Sequence, residues 1–111
     1  MTEEILMVKI QNTLAEGKDL YNATRGNWVI DKRRFKNIRY VVGIQNGEVV
    51  SVYEPKEWSI IESGEDGGRK FFDGIELQDS ALFNKFQKAA PKMLEKFGNG
   101  QAIGYISLPE I

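Results

Sequence analysis

The chain has 111 residues, 41% of them apolar and 28% charged, with 6 Phe, 4 Tyr and 2 Trp, which suits one globular domain spanning 1–111 and is too rich in core-forming residues for a disordered tail. It contains no His and no Cys, so disulfides, Cys/His zinc sites, thiol nucleophiles, haem attachment and imidazole bases are all excluded. No apolar run reaches the roughly 18 residues a membrane helix needs. No basic-then-apolar leader opens the chain either, so no membrane partner and a cytoplasmic location are expected. No metal or cofactor is expected.

In chain order, Ile5 to Ile10 reads as an opening strand, with Leu6, Val8 and Ile10 of one parity forming a single buried face. Asn12 to Lys18 reads as a loop. Asp19 is placed to cap a short helix over Leu20 to Thr24 that stops at Gly26. Asp31 to Asn37 is too short and too hydrophilic to bury a helical face, so a turn or a single helical turn is predicted. The segment Ile38 to Tyr53 gives the strongest local signal: Ile38, Tyr40, Val42 and Ile44 alternate, Asn46-Gly47 supplies a type I′ tip, and Val49 to Tyr53 returns. Pro55 is expected to end the second strand because it lacks a ladder N–H. Trp58 to Ile61 is then a separate short strand, Ser63 to Gly68 a glycine-rich connection, and Lys70 to Leu77 another strand with Phe71 or Phe72 inward.

Ser80 is placed to cap a helix starting at Ala81, and Pro91 divides this region into two short helices, with Met93, Leu94 and Phe97 in the core and Gly98-Asn99-Gly100 as the stop. Ala102 to Leu108 closes the chain as a strand. Six or seven short strands, two or three short helices and no βαβ alternation predict an α+β fold: a small, mostly antiparallel sheet or β-barrel with helices packed on it.

The net charge of −1 argues against a surface that coats nucleic acid, yet its distribution is uneven. Arg25, Lys32, Arg33, Arg34, Lys36 and Arg39 stand against Asp31 alone, so residues 25–39 carry +5 and the remainder −6. This stretch reads either as a local polyanion site or as a solvated turn and outer strand face.

Few chemical constellations survive inspection. Glu54-Pro55-Lys56 with Asp31 can be drawn as a Mg²⁺-dependent nuclease site, but a chain of this composition contains about one Glu-x-Lys by chance, Glu16-Gly17-Lys18 is a second, and Pro55 disrupts the strand required. Gly98, Gly100 and Gly104 have the wrong spacing for a dinucleotide loop. What stands out is Tyr21-x-x-Thr24-Arg25-Gly26-x-Trp28, followed by Arg33-Arg34, Tyr40 on the hairpin and Trp58 beyond it. Arg25 suits bidentate contact with a phosphate or base edge, or a structural pair with Glu54 or Glu57. Trp28 and Trp58 suit base stacking or core packing. Tyr40, Tyr53 and Tyr105 are expected to be half-buried on the sheet, and Arg33, Arg34 and Lys36 are the candidate phosphate contacts.

The runs LYNATRGNWVIDKRR, IRYVVGIQNGEVVSVYEPKEW and GNGQAIGYISL together resemble a family of small bacterial and phage modules of uncharacterised function, across almost the whole chain. That family is in turn similar to the PUA, ASCH and EVE-like β-barrels. The resemblance implies a noncatalytic module that takes a nucleotide or a single-stranded or modified nucleic acid, RNA included, in a cleft formed by Thr24, Arg25, Trp28, Tyr40 and Trp58. The alternatives are a protein-interaction adaptor or phage-encoded modulator, with a protein partner held on the hairpin edge or aromatic face, and the Mg²⁺ nuclease.

Overall fold

The structure is a computed structural model that describes residues 3–77, 80–97 and 100–111. Five strands, β1 (Glu4–Lys9), β2 (Ile38–Gln45), β3 (Glu48–Ile60), β4 (Lys70–Glu76) and β5 (Ile103–Ser107), form one sheet in the order β4-β3-β2-β1-β5. The sheet is open, because β4 and β5 are its two edges and do not pair with each other, so the expected barrel closure is absent. Three of the four pairings are antiparallel, and β1 with β2 is parallel. That parallel pair requires a crossover, which the sequence pattern did not show. It is made by α1 (Gln11–Ala15), α2 (Leu20–Arg25) and a 3-10 helix (Lys32–Asn37).

Both faces of the sheet are covered, which makes it the middle of three layers. On one face α3 (Ser80–Lys88) and α4 (Ala90–Leu94) bring Phe86, Ala90 and Met93 against Met7, Val42, Val52 and Ile106, with Leu94 and Phe97 packed at the margin. On the other, Ala23, Trp28 and Ile30 from the crossover pack on Leu6, Val8, Val41, Tyr53 and Phe72. β1 therefore buries Ile5, Leu6, Met7 and Val8 alike, where a single buried parity was expected. A strand with neighbours on both sides and layers on both faces reads as a continuous apolar run, and parity no longer distinguishes its faces.

Local chemistry explains several boundaries. Asp19 caps α2 by accepting the Asn22 N–H at 2.8 Å, and Asp31 caps the 3-10 helix by accepting the Arg33 N–H at 2.9 Å. Asn46 and Gly47 both take positive φ, 49° and 82°, as a type I′ turn requires. Gln11–Ala15 is helical although a loop was expected there; it is one short turn with no side-chain cap and no buried residue, which leaves no periodic signal. Pro55 does not end β3. The pairing with β2 stops at Val41↔Tyr53, so Pro55 sits where β3 has a ladder on one side only, next to a bulge at Pro55/Glu57, and the strand runs through to Ile60 with Trp58 inside it. Ser80 begins α3, and the capping role expected of its side chain lies outside the described residues, as does the start of the Gly98-Asn99-Gly100 stop.

Candidate functional site

The segment from Tyr21 to Trp28 seals the outer edge of β4. Lys70 donates its N–H to Trp28 O at 2.8 Å and accepts the Trp28 N–H at 2.9 Å. Arg25 Nε donates to Phe72 O at 3.0 Å, and the Gly74 N–H donates to the Tyr21 hydroxyl at 3.2 Å. Arg25 Nη2 lies 2.5 Å from Asp73 Oδ1, and its guanidinium sits over the rings of Tyr21 and Phe71, at 5.2 and 5.0 Å from their centres. Its carboxylate partner is thus Asp73, not Glu54 or Glu57. Gly26 packs so closely on β4 that a Cβ there would stand 2.7 Å from Phe71 Cβ. The close approach this glycine permits is that of the chain's own strand.

The neighbouring motif residues are equally engaged within the fold. Thr24 is fully buried and shares a 2.9 Å hydroxyl hydrogen bond with Ser51. Trp28 is 8% exposed, and its indole N–H donates to Thr24 O at 2.9 Å. Trp58 stacks on Phe35 with ring centres 4.8 Å apart and packs against Phe72 at 5.2 Å. Tyr40 belongs to the opposite face of the sheet, edge-on to Phe86 at 5.6 Å, so the structure does not bring it together with Arg25, Trp28 and Trp58. Tyr53 is fully buried instead of half-buried, and its hydroxyl pKa is pushed up to about 12, first by desolvation and then by the negative charges of Glu76 and Asp19.

The basic stretch is largely neutralised, by its own Asp31 and by carboxylates from elsewhere in the chain. Arg33 pairs with Asp31, Arg34 with Glu4, and Arg39 with Glu3. The Arg33 hydrogen bonds hold the Asp31 carboxyl well below the usual carboxylate range. Lys32 and Lys36 have no carboxylate partner among the described residues. Lys36 borders a polar hollow of about 300 Å³ with Glu3, Arg39 and Glu54, where acids and bases alternate and no net positive field is built. Asp31 and Glu54 belong to no cluster of three acidic residues among the described residues, and Glu54 is bound by Lys56.

A larger concavity lies between the Trp28 end of the segment that seals β4 and the β5 edge of the sheet. A cleft of about 610 Å³ is bounded by Trp28 and Val29, by Ile103 and Tyr105 of β5, and by the cations Arg69 and Lys96. Val29 is 68% exposed on its lip. Arg34 lies over the Tyr105 ring, 4.0 Å from its centre, so it is the one predicted phosphate contact that adjoins the cleft wall. Burial pushes the Tyr105 hydroxyl pKa up, and Arg34 partly opposes this. Arg69 Nε stands 3.7 Å from Asp66 and Lys96 Nζ 3.0 Å from Glu110; both pairs are solvent-exposed, where such contacts are weak and open to exchange.

Of the predicted ligand-binding residues only Trp28 lines this cleft. Arg69 and Lys96 escaped the sequence reading because they lie in unremarked positions after a glycine-rich loop and after α4, and only the fold brings them near residue 28. The available signal was the closing run GQAIGY, which supplies the β5 wall. The chain matches no family model, no curated protein and no solved structure.

Proposed function

We propose that the protein is a noncatalytic binding module that takes a nucleotide or a stretch of single-stranded nucleic acid in the β5-edge cleft. The observation that carries this reading is the joining, in one cavity of ligand size, of an apolar and aromatic wall (Trp28, Val29, Ile103, Tyr105) with two cations (Arg69, Lys96) and no carboxylate among the described lining residues. An aromatic wall suits a base, and the cations suit its phosphate. The likeness to PUA, ASCH and EVE-like modules, carried by the sequence signature, favours the same ligand class and a cytoplasmic setting, although the open sheet departs from their barrel. Membrane attachment through a helix has no support, since no helix among the described residues is long and apolar enough to cross a bilayer. For the adaptor reading, the exposed Ile60 and Ile75 do not form one patch with each other, since they lie towards opposite ends of the β3–β4 pair.

The test is fluorescence anisotropy with a labelled decauridylate at several salt concentrations. The unmodified protein should bind at low salt, and Arg69→Ala with Lys96→Ala should weaken binding and flatten the salt slope by about 1.4, two phosphate contacts at roughly 0.7 each. No binding by the unmodified protein at low salt contradicts the proposal.

A further inference from the structure

The two edges of the sheet are treated differently. On β4 the outward groups of Lys70, Phe72 O and Gly74 N–H are met by Trp28, Arg25 and Tyr21. On β5 the ladder alternates. Lys9 donates to Ala102 O and Leu108 donates to Glu3 O, both at 2.8 Å, so the even-numbered residues face β1 and Ile103, Tyr105 and Ser107 turn their peptide groups outward. The Ser107 N–H is taken by the Glu110 carboxylate at 3.3 Å. Ile103 and Tyr105 line the cleft, and their outward N–H and C=O groups have no partner among the described residues.

We infer that this stretch of β5 reads the base of the nucleotide, with the peptide groups of Ile103 and Tyr105 hydrogen-bonding the base edge while Arg69 and Lys96 hold the phosphate. The inference rests on the proposal that the cleft is a nucleotide site. An outward-facing strand residue presents a donor and an acceptor side by side. A nucleobase edge carries donors and acceptors at comparable spacing, and unpaired bases are recognised through such edges. Water occupying these peptide groups is displaced without loss only by a ligand that replaces its hydrogen bonds, which a base does and a bare sugar phosphate does not. Addition of a polypeptide strand suits this edge less well. Glu110 occupies Ser107, which leaves only two of the three outward residues of β5 for a ladder. The two cations also favour phosphate over a neutral chain.

The experiment follows backbone amide shifts of the ¹⁵N-labelled protein during titration with each of the four ribonucleoside 5′-monophosphates, with ribose 5-phosphate and with an acidic pentapeptide. At least one nucleotide should bind about ten-fold more tightly than ribose 5-phosphate, the effect of two net hydrogen bonds, and should move the Ile103 and Tyr105 amides. Equal binding of ribose 5-phosphate and all four nucleotides, with those two amides unmoved, overturns base reading while leaving a phosphate site in the cleft. Absence of binding by every nucleotide and by ribose 5-phosphate overturns both. Pentapeptide binding that moves the two amides, with the nucleotides inert, replaces the assignment with strand addition.

Discussion

Thr24 and Ser51 share one buried hydroxyl hydrogen bond directly over Gly43, where an added Cβ would also come within 2.9 Å of Thr24 Oγ1 and Ile10 Cδ1. Replacing Thr24 by Val keeps the shape and leaves the Ser51 hydroxyl without its partner, so chemical denaturation should show a loss of about 1–3 kcal/mol. The double variant Thr24→Val, Ser51→Ala should recover most of that loss, because no buried group is then stranded. A double variant no more stable than Thr24→Val contradicts this account. Tyr53 gives a second expectation. The folded chain holds its phenolic proton to about pH 12, whereas an unfolded tyrosine releases it near pH 10. The stabilising share is present in full below pH 10 and is lost as pH climbs from 10 to 12. Denaturation midpoints measured across that range should fall more steeply for the unmodified protein than for Tyr53→Phe, and parallel curves would contradict the assignment.

Among the elements, the link from α2 to β4 carries the distinctive sequence signature. Its residues were legible as a unit, since Asp19, Gly26 and Trp28 mark a cap, a stop and an aromatic anchor within ten positions. Their purpose was not legible, because the strand they seal begins more than forty residues later in the chain. Gly26→Ala drives a methyl group into Phe71 and should lower the melting temperature. Arg25→Ala removes a hydrogen bond to Phe72 O, the pair with Asp73 and two ring contacts, at an expected cost of about 1–2 kcal/mol. Amide exchange along β4 should accelerate in both variants, and unchanged β4 protection would show that the segment does not secure that edge. The hairpin, by contrast, was readable up to Tyr53 except for the bulge that leaves Val50 unpaired, because alternation and Asn46-Gly47 are local. The run of β3 through Pro55 depended on where β2 stops pairing, which no local pattern reports.

Taken together, the five strands place two very different edges on one small protein, one closed by the chain's own signature motif and one open onto a cleft with cations at its margin. Alternating strands and caps identified the hairpin, the capped helix, the two helices around Pro91 and the closing strand. The parallel β1–β2 pairing and the open sheet were hidden, since buried central strands lose their parity signal and closure depends on the two strands farthest apart in the sheet. The same long-range assembly explains why the expected ligand residues divide between two faces of the sheet, while Arg69, Lys96, Ile103 and Tyr105 converge beside Trp28. The decisive comparison is a low-salt titration of labelled decauridylate against Arg25→Ala and Arg69→Glu in parallel. Retained affinity in Arg25→Ala, despite its lower stability, with loss in Arg69→Glu is the expected result. Loss in a folded Arg25→Ala with undiminished binding by Arg69→Glu would place the ligand at the signature motif and contradict the assignment of the β5 cleft.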